Sequence, residues 1–145
     1  MNIQMEHSVM ITLETDDKVK TVTAFRLTPG ELHDLTYLCN EEVLKDFKDL
    51  GLRYHICKEL SDMEPDNWIY QDDLRYNTAR SFEPYQPNDD QDIKDRRSRN
   101  FDQAFDHVLF DMMVMGVIWI DDRKDPVRVK STKVGNIILN LLFRD

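Results

Sequence analysis

The apolar period of this chain changes at Thr28, and that change commits it to a mixed fold. Up to Leu27 the apolar residues alternate, and from Leu32 to Leu50 they recur at three or four residues. Val9, Ile11 and Leu13 share one parity between His7 and Leu13. Val19, Thr21, Thr23, Phe25 and Leu27 share one parity in the next run, and Thr15 to Lys18 form a polar turn between the two. This predicts an antiparallel hairpin with one buried face.

The switch itself is marked by a cap. Thr28 precedes Pro29 and Glu31, which supplies a threonine cap, a proline at the first helical position and a carboxylate that reaches back to the cap amide. Leu32, Leu35, Cys39, Val43, Phe47 and Leu50 follow at helical spacing, and Gly51 offers a left-handed stop, so one helix is predicted over 29–50. Leu52 to Ser61 suits a second, shorter helix packed back on the first, with a strand from Arg53 to Cys57 as the alternative.

Beyond Ser61 the apolar pattern dissolves. The stretch 61–95 carries ten acids against three bases, which accounts for most of the formal charge of −9 on the 145-residue chain. It also holds Pro65, Pro84, Pro87, Trp68, Tyr70, Tyr76, Phe82 and Tyr85. It is too aromatic for an idle linker and too rich in breakers for one long element, so it is expected to be an acidic aromatic insertion. Arg96, Arg97 and Arg99 then reverse the sign.

A core helix is predicted from the Asn100/Gln103 capping pair, with Phe101, Phe105, Val108, Leu109, Met112 and Met115 as its apolar stripe. Val117 to Ile120 and Val127 to Lys130 read as a second hairpin around the turn 121–126. Val134, Ile137, Ile138, Leu141 and Leu142 are spaced for a closing helix, with Gly135 leaving a strand open as the alternative. The expected fold is therefore a single α+β domain over 1–145, with two β-hairpins packed on two to four helices and the insertion at 61–95.

Several function classes are disfavoured by composition. No apolar run approaches the roughly 20 residues of a membrane helix, and no signal-peptide pattern opens the chain, so a soluble, intracellular, cytoplasmic protein is expected. Four glycines leave no phosphate-cradling loop, and no nucleophile elbow is present. His33, Cys39, His55 and Cys57 contain the donors of a zinc site, but His33 and Cys39 lie six apart on one helix and so point to different faces. No catalytic residue, metal or cofactor is expected.

The functional expectation rests on the insertion. Asp66, Asp72, Asp73, Asp89, Asp90 and Asp92 offer carboxylates to a lysine- and arginine-lined groove, and Trp68, Tyr70, Tyr76 and Tyr85 supply contact area that charge alone lacks. This reading is a non-enzymatic acidic protein-binding module that occupies a basic surface, as a mimic of nucleic acid would. In size and acidity the chain resembles small virus-encoded inhibitors of host defence. The partner implied is a protein with a basic or nucleic-acid-binding groove. Direct nucleic-acid binding is disfavoured by the net charge, and self-association through the Met-rich helix is a second partner expectation.

Two alternatives stand beside it. Asp121, Asp122 and Lys124 follow an apolar strand, an arrangement that resembles the PD-(D/E)xK nucleases and implies a metal-dependent nuclease or phosphodiesterase. Arg96, Arg97 and Arg99 precede a helix and hairpin that resemble a winged helix, which implies a small DNA-binding adaptor.

Overall fold

A computed structural model describes residues 7–14, 19–49, 51–82 and 88–144. Among them the chain forms six helices and two small antiparallel sheets, an α+β arrangement around one apolar core. Strands β1 (His7–Glu14) and β2 (Val19–Leu27) make the first hairpin. Its predicted turn, 15–18, lies outside the described residues.

The inward face of β2 is the opposite of the one expected. Val9, Ile11 and Leu13 stand opposite Ala24, Val22 and Lys20, and these partners face the core, while Val19, Thr21, Thr23 and Phe25 face outward. The ladder shifts register between His7 and Val9, and Arg26 adopts a positive φ of 57°. That kink resets the alternation, so Leu27 is fully buried although its former partners in parity are not.

The predicted helix over 29–50 is two helices. Helix α1 (Pro29–Leu38) starts with the expected capping box: Glu31 N–H donates to Thr28 Oγ1 and Thr28 N–H to Glu31 Oε1. Asn40 then leaves the helix with ψ 135° and accepts from Glu42 N–H, which starts α2 (Glu41–Lys48). Asparagine is a better cap than helix-interior residue, and a break there leaves Leu35, Leu38, Leu44 and Phe47 all buried. Gly51 is not a left-handed stop; its backbone is extended and begins α3 (Leu52–Ser61).

The insertion contains regular structure. A two-residue strand, β3 (Ile69–Tyr70), runs directly into α4 (Gln71–Phe82), which buries Leu74 and Thr78. Helix α5 (Gln91–Val114) begins nine residues before the predicted Asn100 cap, because Asp90 caps it by accepting from Ile93 N–H. Its first ten residues bury nothing, so no apolar stripe marks them in the sequence. The two additional helices, α4 and the one released by the break at Asn40, explain the excess over two to four.

Strands β4 (Ile118–Asp121) and β5 (Arg128–Ser131) form the second hairpin, and β3 adds to the free edge of β5 to give the order β3-β5-β4. The closing segment is a helix, α6 (Lys133–Leu142), capped by Thr132 Oγ1 accepting from Gly135 N–H. Gly135 is required by contact: a Cβ there would run into the Val117 carbonyl. No described helix is long and apolar enough to cross a membrane.

Candidate functional site

The sequence-predicted binding residues are divided among three places. The first is α4 and its approach. Tyr70 and Tyr76 are 52% and 64% exposed, and Asp66, Asp72 and Asp73 are exposed beside them in sequence. Leu74, fully buried one position after Asp73, fixes which face of the helix points outward.

Helix α5 adds to this face. It runs antiparallel to α4, since Gln71 Nε2 donates to Asp106 Oδ1 at 3.3 Å while Phe82 lies 6.0 Å from Phe101 between ring centres. Arg75 reaches across the seam. Its guanidinium donates to Asp72 at 2.7 Å and to Asp106 at 2.8 Å, and stands 3.8 Å from Asp102. Partial burial pulls the Arg75 pKa down, but the hydrogen bonds it donates to Asp106 and Asp72, with the charges of those carboxylates, raise it above its ordinary value on balance. One guanidinium thus hydrogen-bonds two carboxylates and draws a third near, an arrangement that keeps a net negative charge.

The second place is the outer face of the three-stranded sheet. Trp68 is turned onto it, with the Arg128 guanidinium 4.3 Å and the Lys130 ammonium 4.9 Å from the ring centre. Trp119 and Asp121 share a parity on β4 and stand opposite Lys130 and Arg128 on β5, while Tyr70 stands opposite Arg128 on the other side. Ile118, Val129 and Ser131, of the other parity, are buried. A sheet with one apolar and one aromatic-cationic face results.

Asp121 organises that outer face. It is 7% exposed and accepts from Arg123 Nε at 3.0 Å and from Arg128 Nε at 3.0 Å. The hydrogen bonds from Arg123, and then from Arg128, hold its carboxyl well below the usual aspartate range. Beside it opens a cleft of about 410 Å³ lined by Trp68, Trp119, Asp121, Asp122, Arg123 and Lys130 among others.

The third place is the start of α5. Asp89 accepts from Arg97 at 3.0 Å, Asp90 caps the helix and Asp92 is exposed in its first turn. These acids are spent on the helix terminus and its arginine. Tyr85 lies outside the described residues.

The features behind the alternative readings are also placed. Two guanidinium groups occupy Asp121, and no group of three or more histidine, cysteine or acidic side chains able to hold a metal exists among the described residues. Cys57 is fully buried, which pushes its thiol up to about 12, and His55 Nδ1 is 2.8 Å from Ser81 Oγ. Arg96, Arg97 and Arg99 lie within α5 rather than ahead of it. At the Met-rich end of α5 and its cap Met115, Met112 is buried and Met113 and Met115 pack on the core, while Phe110 and Val114 are exposed.

Residues of this face that the sequence pattern did not single out are Arg128 and Lys130. Their alternation on β5 was readable, but their meeting with Trp68, about 60 residues earlier, comes from strand pairing. Compared with family models, curated proteins and solved structures, the chain matches none.

Proposed function

We propose that this protein is a non-enzymatic binding module whose acidic α4 face engages a basic surface on another protein, in the manner of a nucleic-acid mimic, and thereby blocks it. The supporting observation is the carboxylate array of Asp72, Asp102 and Asp106 around Arg75, flanked by the exposed Asp73 and by Tyr76. Carboxylates held on two packed helices lose little freedom on binding, so they compete for a cationic groove better than a mobile acidic loop would. Tyrosine adds rigid contact area at the same place.

The working residues of this reading are Asp72, Asp73 and Tyr76, joined by Asp102 and Asp106; Asp66 precedes them in sequence, and Tyr70 pairs with Arg128 on the sheet. Trp68 belongs instead to the sheet face, and Asp89, Asp90 and Asp92 to the start of α5. An inhibitor of defence or nucleic-acid-handling proteins is the role such a module would serve.

The test is capture of partners on the immobilised protein at low and high salt, followed by asking whether the captured protein still binds labelled DNA. Capture that weakens with salt, fails in the Asp66→Lys/Asp72→Lys/Asp73→Lys variant and displaces DNA is the expected outcome. Undiminished capture by that folded variant would rule the α4 face out.

A further inference from the structure

The outer face of the β3-β5-β4 sheet is a different surface with different chemistry, and it goes beyond the acidic α4 reading. Its cleft, about 410 Å³, falls within the range of small-molecule sites. Two ligand classes compete for a cleft between tryptophans: a cation caged by ring faces, or an anion with a flat portion. The occupancy of Trp68 decides between them. Its ring already has Arg128 at 4.3 Å and Lys130 at 4.9 Å, so a further cation would meet two positive charges before it met the ring. An anion would be drawn to the same pair.

The remaining lining residues supply the other contacts. Trp119 is 59% exposed and offers a free ring to stack against a planar group. Arg123 is tied to Asp121 through Nε and Nη2, and its side chain is 84% exposed, which leaves donors facing outward. Asp122, a carboxylate on the rim, repels an anion but accepts from hydroxyl or amino groups. A flat group, an anionic group and hydroxyl donors together describe a nucleotide.

We infer that this cleft binds a free ribonucleotide, with the base stacked on Trp119, the phosphate held by Lys130 and Arg123, and Asp122 accepting from the ribose or base. A free nucleotide is preferred over a nucleic-acid strand because the chain carries a net charge of −9, which repels a polyanion, whereas a single phosphate responds to the local cations. Asp121 is a positioning residue that orients both arginines.

Both tryptophans of the chain lie at this cleft, so intrinsic fluorescence reports on it directly. The full-length protein is titrated with adenosine and guanosine 5′-monophosphates, with the nucleosides lacking phosphate, with inorganic phosphate, and with a short single-stranded oligonucleotide. A saturable change with a monophosphate, at least roughly tenfold weaker with the nucleoside, is expected. Lys130→Ala and Trp119→Ala should each weaken binding by roughly tenfold while circular dichroism stays native. Asp66→Lys/Asp72→Lys/Asp73→Lys should leave nucleotide binding unchanged, which separates this test from that of the α4 face. No saturable change with either monophosphate overturns the inference, as does equal affinity for nucleoside and nucleotide. An oligonucleotide that binds tighter than its monomer overturns the choice of a free ligand.

Discussion

The acidic face of α4 and the outer face of the three-stranded sheet start from similar ingredients, aromatic rings among charged side chains, and arrive at opposite chemistry. On α4 a single arginine spaces several carboxylates, and Tyr76 stands beside them. On the sheet a single buried carboxylate gathers two arginines, and one of these, with Lys130, lies over an indole. The minority charge is the organiser in both cases, because one central counter-ion lowers repulsion among its neighbours while leaving their outer sides open. Local sign, rather than total charge, then decides what each face attracts.

The largest expected effect tests whether the α4 face is a rigid frame. Leu74 is fully buried, and Leu74→Ala should cost about 2–5 kcal/mol in urea denaturation. A loss below about 1 kcal/mol would show that α4 is held only by its polar contacts and would remove the contrast with a mobile loop.

The sheet face should separate from α4 by its response to acid. The Asp121 pKa is depressed in the folded protein, so its contribution is complete above the unfolded value of roughly 3.9 and is lost as pH falls toward the folded one. The Tm difference between the wild type and Asp121→Asn should therefore be constant from neutral pH down to about 5 and shrink below about 4. A difference that ignores pH would mean that Asp121 acts by packing rather than by charge.

The smallest effect on stability belongs to Asp73→Asn. The side chain is exposed and joins no ion pair among the described residues, so denaturation should change by less than about 0.5 kcal/mol. Partner capture should nonetheless fall. A variant that captures as well as the wild type would place the useful charge on Asp72, Asp102 and Asp106 alone.

The features readable in the sequence were those written within a few residues. The Thr28 cap, the core stripe of α5 from Phe101, the second hairpin and the local excess of acid all follow from spacing and side-chain chemistry, and each needs nothing beyond its own segment. The candidate α4 residues were legible for the same reason, although the helix that carries them was hidden by flanking prolines and by a face that buries only Leu74 and Thr78.

Tertiary structure decided the rest. It turned the other side of β2 inward through the kink at Arg26, took Trp68 from the acids next to it in sequence and set it against Arg128 and Lys130, and made Asp102 and Asp106 part of the α4 array. These outcomes depend on strand register and helix packing between distant segments. Local spacing specifies which side chains can share a face of one element, while the partner across the gap is selected by which arrangement buries the common core.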